Sequence, residues 1–345
     1  MQKKLMVTIF SICFVLLLVT ITFPTVGFTK EKTFDLSFAG PYYGQHPTLV
    51  NTWRPWIQKV SEMSKGSLKF EYFEPNALSP YRDQFDSTAA GTIDLGAAFC
   101  GISPGKFPFA ELMDLPFMAP NAEVGSKVTW ELFQKFPDWQ NQFKGIKSLW
   151  MWTSALFELN TVKKPVRTLE DLKGLKIICW TPKMMQMVKL LGANPLEIRP
   201  HDSYLALQRG MADGILTPLA PIRSFKISEV AKYHTMVDIA VGPFWAGFNE
   251  GAWKKLTPGL QKIILDTTGT KMSESCGKTL DEGQARDYAW LKKNGHTMIH
   301  LSDAEKERWK KLLLPLHDEW IKSMEEKGYK NAKAIYDYAV SAAGK

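Results

Sequence analysis

QFDSTAAGTIDLGAAF at residues 84–99 and SYLALQRGMADGILTP at residues 203–218 carry one pattern in two halves of the chain. Each reads as a helix ended by a glycine (Gly91, Gly210), then two residues, an aspartate (Asp94, Asp213) and an apolar strand. Glycine just past a helix end supplies a left-handed turn. The apolar run after it reads as a parallel strand buried on both faces. One such unit per half predicts two similar α/β lobes. Open α/β sheets take ligands beyond the carboxyl ends of their strands, so two facing lobes predict a binding cleft between them.

The N-terminus speaks to compartment. Lys3 and Lys4 precede an apolar run from Leu5 to about Phe23, followed by Pro24 and small residues near Val26 and Gly27. That layout reads as a secretory signal peptide over residues 1–28, and it predicts that the mature protein is exported. The alternative is an uncleaved anchor, since about 19 apolar residues just span a bilayer. Cys13 sits mid-run, where lipid attachment is not expected. Cleavage leaves about 317 residues, enough for two domains, and losing Lys3 and Lys4 takes the net charge from +8 to +6. Lys and Arg are mixed with acids along the chain, with no basic block interleaved with aromatics, so nucleic acid is not an expected partner. Cys100, Cys179 and Cys276 remain, an odd number that leaves at least one thiol unpaired within the chain. Cys100 and Cys179 lie in apolar, strand-like context and read as buried thiols.

Phe34–Phe38 and Leu68–Phe73 read as strands on either side of a helix carrying Trp53, Trp56 and Val60, with Tyr42 and Tyr43 in the loop after the first. Ile146–Phe157 reads as one tryptophan-rich strand at a changeover between lobes, and Val237–Phe248 as a returning strand broken at Gly242-Pro243. Thr168 caps a short acidic-headed helix. Thr257-Pro258 open a helix running towards Gly295, roughly 55 Å if continuous, with Gly269, Gly277 and Gly283 as places to bend. Ser302-x-x-Glu305 opens a helical tail as a capping box. The lobes are thereby read as residues 29–154 plus about 243–281, and 155–242 plus about 282–345.

Enzyme chemistry finds little support. Gly101-Ile102-Ser103-Pro104-Gly105 fits the G-x-S-x-G nucleophile elbow. However, the residue after that serine must donate its N–H to an oxyanion, and proline has none; a turn is expected. His296 and His300 fall on a strand, where four residues span roughly 13 Å, too far to share one metal. No cofactor is expected. Met184, Met185 and Met187 read as core. Trp150, Trp152, Phe157, Trp180 and Trp245 fall at or near strand ends around the changeover, where several aromatics suit a flat or apolar ligand.

Glu170-Asp171-Leu172-Lys173-Gly174-Leu175-Lys176-Ile177, Gly192-Ala193-Asn194-Pro195, Tyr204-x-Ala206-Leu207-Gln208-x-Gly210-x-x-Asp213-Gly214, Gly91-Thr92-Ile93-Asp94 and Leu115-Pro116-Phe117 together resemble the DctP-like solute-binding proteins of tripartite ATP-independent periplasmic (TRAP) transporters. The resemblance spans essentially the whole mature chain. It implies a two-lobe, periplasmic-binding-protein-like α/β fold with a long helix crossing both lobes. It also implies a receptor, expected to be monomeric, that closes on a small molecule and delivers it to sodium-driven TRAP membrane subunits.

The departures from the family pattern bear on the ligand. Ile178 stands where the family carries an arginine that grips a ligand carboxylate, Phe157 where a second arginine is frequent, Thr217 in place of an asparagine, and Phe99 in place of a polar residue. Dicarboxylate or sialic-acid specificity is therefore not carried over. Arg199, in a loop the resemblance puts beside the cleft, is the replacement candidate, with Arg82 and Arg223 behind it. The expected ligand is a small organic acid with an aromatic or apolar body, held by Arg199 and packed on Trp180, Trp152 and Trp245. Tyr42, Phe157, Ile178 and Thr217 complete the candidate site. A neutral or cationic solute in an aromatic cage is the alternative; a secreted hydrolase is the alternative of a different class.

Overall fold

The computed structural model describes residues 32–344; the leader read at residues 1–28, Cys13 included, lies outside them. Strands β1 (Phe34–Ala39), β2 (Leu68–Phe73), β3 (Leu95–Phe99), β4 (Ile146–Thr153) and β10 (Pro243–Asn249) form one sheet in the order β2-β1-β3-β10-β4. β1 runs parallel to β2 and β3, while β10 is antiparallel to β3 and β4. Strands β5 (Glu158–Thr161), β6 (Lys176–Cys179), β7 (Asn194–Glu197), β8 (Gly214–Thr217), β9 (Tyr233–Met236) and β11 (Thr297–His300) form a second, ordered β11-β9-β5-β8-β6-β7. There β5 is the strand that runs against both its neighbours. With helices packed around both sheets, the chain has the two-lobe α/β architecture of periplasmic binding proteins.

The repeated pattern forms the same part in each sheet. Helices Gln84–Ala90 and Ser203–Gln208 end at Gly91 (φ +86°) and Gly210 (φ +71°), backbone angles at which any Cβ is strained. The aspartates have a structural purpose. Asp94 Oδ2 accepts from the Ser37 N–H (2.9 Å) and hydroxyl (3.0 Å), tying the head of β3 to β1. Asp213 Oδ2 accepts from the Lys176 N–H at 2.8 Å, tying the head of β8 to β6.

Two long strands read from the sequence are shorter in the structure. The run from Ile146 to Phe157 is β4 and then a crossover at 154–157 that leads into β5 of the other sheet; residues 237–242 likewise lie between β9 and β10 and belong to neither. The reason is that the two crossovers bond to each other rather than to a sheet. Ser154 N–H donates to Gly242 O and Gly242 N–H to Ser154 Oγ, while Phe157 N–H donates to Ala240 O. Gly242 has no room for a side chain, since a Cβ there would lie 2.6 Å from the Phe99 ring.

The long helix is also interrupted. Pro258–Asp266 and Thr270–Lys293 are separate helices, because Gly269 adopts φ +67°, ψ −140°, outside any helical region. Gly277 and Gly283 stay inside the second; a Cβ on Gly277 would meet Ala122 O at 2.5 Å. The remaining 24 residues extend about 36 Å and still touch both halves. Thr279 Oγ1 meets Thr52 Oγ1, and Asp281 accepts from the Ala122 and Glu123 N–H groups. Further along, Gln284 bonds the Leu219 N–H and Leu156 O, and Asp287 pairs with Arg223.

Thr168 caps its helix with a complete box. At Ser302 only half forms: Ser302 Oγ accepts from the Glu305 N–H, while the Glu305 carboxylate accepts from Leu169 N–H and Trp309 Nε1. Cys100, Cys179 and Cys276 are buried free thiols, and burial pushes Cys179 and Cys276 up to about 12. Behind the first sheet, Phe38, Trp53, Trp150 and Trp152 are fully buried and pack ring on ring. Burying each apolar side chain of this size contributes about 1.5–3 kcal/mol, which fixes the wall on which the cleft rests.

Candidate functional site

A cavity of about 530 Å³ opens where the strand ends of the two sheets face each other, within the size range of small-molecule sites. Its lining follows the strand ends. β1 delivers Tyr42, Tyr43 and His46; β2 delivers Asn76; β3 ends on Phe99 itself. In the second sheet, Trp180 follows β6, Arg199 follows β7, and Pro221, Ser224 and Phe225 follow β8. The antiparallel β10 contributes its first residues, with Phe244 lining.

The walls are aromatic. Phe99 and Phe244 lie 5.1 Å apart between centroids, and Phe244 stacks on Trp152 behind it at 5.0 Å and 17°. Trp152 Nε1 donates to the Tyr42 hydroxyl at 2.9 Å, while the Tyr72 hydroxyl accepts from the Tyr42 N–H and donates to its carbonyl. Tyr42 in turn stacks face to face on His46 at 3.8 Å. Burial holds the His46 imidazole down at about 3, so it is neutral at any ordinary pH. Opposite, Trp180 Nε1 donates to Ser203 Oγ, which donates to Arg199 O. That fixes the indole against the arginine loop, with Phe225 edge-on to Trp180 at 6.2 Å. At the rim His201 bridges the walls: Tyr43 Oη and Asn76 Nδ2 lie 3.3 and 3.4 Å from its Nε2.

Of the eight candidate site residues read from the sequence, Tyr42, Trp180 and Arg199 line this cavity together, and Tyr43 and Phe99, also noted there, line it with them. Trp152, Phe157, Ile178, Thr217 and Trp245 do not: each is at most 2% exposed. Trp152 stands one layer behind, holding Tyr42. Ile178 packs in the second sheet's core with Ala206, Ile215 and Ile222, Thr217 pairs across to Glu158, and Phe157 sits beside Gly242. Trp245 packs edge-on to Phe85 on the other face of β10. The period of two along a strand puts its neighbour Phe244 in the cleft instead. Arg199 is exposed, and its side chain has no hydrogen bond or ion pair among the described residues. Arg82 lines the cavity 3.9 Å from Glu197. Arg223 is engaged elsewhere, 2.6 Å from Asp287 and stacked over Trp290. His46, Asn76, Tyr81, His201, Phe225 and Phe244 were not selected from the sequence; for His46, Asn76 and His201 the signal available was their place in proline-punctuated loops that follow strands, and for Phe244 its place at the start of β10.

Residues 101–105 form a turn, with Ser103 Oγ donating to the Arg82 carbonyl. His296 and His300 bond separately, to His234 and to Tyr288.

The sequence profile of bacterial extracellular solute-binding protein family 7 (DctP) matches residues 42–323. The sialic acid-binding periplasmic protein SiaP of Vibrio cholerae is 27% identical over 271 residues, 76% of this chain and 80% of SiaP. The C4-dicarboxylate-binding protein DctB of Bacillus subtilis is 26% identical over 270 residues, 76% of this chain and 75% of DctB. A TRAP solute-binding protein from Rhodoferax ferrireducens T118, crystallised with copurified benzoate, superposes with a TM-score of 0.86 at 26% identity, over 90% of this chain and 98% of that one. These relatives are solute receptors, and the chain is not an enzyme. It belongs to bacterial extracellular solute-binding protein family 7, as a TRAP-type extracytoplasmic receptor that binds a small-molecule solute and works with membrane subunits.

Proposed function

We propose that the solute is a small organic acid with an aromatic or apolar body, bound between Phe99 and Phe244 on one wall and Trp180 on the other, with Arg199 taking its carboxylate. One observation carries this reading. The cavity offers two arginines, two imidazoles and phenolic hydroxyls, while among the described residues its single lining carboxylate is the exposed Asp83. A cation would meet two arginines and no buried counter-charge, whereas an anion meets an arginine without another partner. The benzoate bound by the Rhodoferax relative supports the same choice. The site is proposed to act in the periplasm, after export and removal of the leader.

Isothermal titration with benzoate tests it. Removing one partner of a desolvated charge pair costs about 2–5 kcal/mol. Arg199 starts exposed, so the low end applies and R199A should weaken benzoate about 30-fold. W180A should weaken benzoate and its neutral analogue benzamide alike, because stacked area is lost whatever the charge. Unchanged benzoate affinity in R199A would overturn the acid anchor.

A further inference from the structure

Two groups in the first wall hold protons with no acceptor among the described residues. His46 Nδ1 accepts from the Thr48 N–H at 3.3 Å, which puts the ring proton on Nε2. The Tyr81 oxygen accepts from the Phe99 N–H at 2.9 Å, which leaves its own hydrogen to be donated. Both residues line the cavity. Both are also held in place: His46 by its stack on Tyr42, and Tyr81 by a bond from its N–H to Asn76 Oδ1.

These donors are neutral. Burial keeps the His46 ring unprotonated and raises the Tyr81 hydroxyl above its ordinary range. The first-wall cation that lines the cavity, Arg82, already has Glu197 beside it. Apolar walls with uncharged donors suit a neutral oxygen: a desolvated N–H or O–H left unmet is costly, yet a second carboxylate there would be buried without a counter-charge. The arginine without a partner, Arg199, comes from the other wall.

Resting on the acid reading above, we infer that His46 and Tyr81 form a second polar subsite that selects aromatic monoacids carrying a neutral oxygen (hydroxyl, ether or carbonyl) away from the carboxylate. The pair thereby sets specificity, while Arg199 and the aromatic faces supply general affinity for aromatic acids.

The test is a titration series on the mature protein with benzoate, 3- and 4-hydroxybenzoate, their methyl isosteres, and the dicarboxylates isophthalate and terephthalate. At least one hydroxybenzoate should bind about tenfold tighter than its methyl isostere, and the dicarboxylates should bind more weakly than that hydroxy acid. H46F keeps a ring for Tyr42 to stack on but removes the donor, and should narrow the hydroxy-to-methyl ratio severalfold; Y81F should do the same. If either variant fails to fold, the wild-type series still decides. Equal affinity for hydroxy and methyl acids, or a preference for a dicarboxylate, overturns the subsite while tight benzoate binding leaves the acid receptor standing. If no acid binds, both fall.

Discussion

Acidification should expose the buried imidazole pair of the second sheet. His234, on β9, is fully buried. Its Nδ1 lies 2.7 Å from Asn160 Oδ1 and its Nε2 2.9 Å from His296 Nδ1. Burial, reinforced by His296 and then Lys232, holds His234 down at about 3, against 6.5 in the unfolded chain. Between those values the unfolded state binds the proton and the folded state does not, so stability is present above pH 6.5 and is lost as pH falls towards 3. For one such group the loss between pH 7 and pH 5 is about 2 kcal/mol. His46 and His296 are lowered in the same direction, while buried Glu158 and Asp114 are raised and act in the opposite sense. A difference measurement isolates His234. Gln can keep one donor for Asn160 and one acceptor for His296, so H234Q should fold while binding no proton at this position. Urea unfolding of wild type and H234Q at pH 7 and pH 5 gives two stability gaps, and the gap should shift by about 2 kcal/mol in favour of the variant at pH 5. An equal gap at both pH values would refute the claim that His234 is neutral in the folded protein.

Two further outcomes follow from the fold. D94A should destabilise by about 2–3 kcal/mol, since it strips two hydrogen bonds from Ser37, whereas D213A, with one bond to Lys176, should cost about 1 kcal/mol; equal losses in urea titrations would refute the clasp. Saturating benzoate should reduce the radius of gyration in small-angle scattering as the walls rotate together about residues 154–157 and 237–242, and an unchanged radius would count against closure.

Much of the fold was legible because local rules and tertiary structure agree. β2 spans the same residues, Leu68–Phe73, that were read as a strand, β1 extends the alternating Phe34–Phe38 by one residue, and both helix–glycine–strand units form where their glycines require positive φ. The interrupted pieces were less so. Apolar residues continue through Ile146–Phe157 without a break, yet the chain changes sheets at Ser154 because its backbone finds partners on a segment some 85 residues away; composition does not carry that pairing. At the site, aromatic content marked the right region but not the face. Trp245 and Phe244 are neighbours of similar character, and a one-residue difference in phase decides which meets solvent. Ile178 and Phe157 fill positions that the family resemblance marks for polar contacts, and here they pack inside. His46 carries no sequence pattern, and its neutrality arises from burial, which only the fold creates.

The lacing of the two crossovers has a mechanical consequence. Separate chain passages between two bodies act as independent pivots and permit twisting and sliding as well as bending. Here Ser154 and Gly242 exchange two bonds, and Phe157 and Ala240 add another, so the passages act as one short ribbon. A ribbon flexes readily out of its plane and resists shear within it. The helix Thr270–Lys293, bonded to both halves, forms a third tie beside it. Ties of this kind should favour a single rotation over sliding or twisting, so that Phe99 and Trp180 would meet in the same register each time the cleft closes.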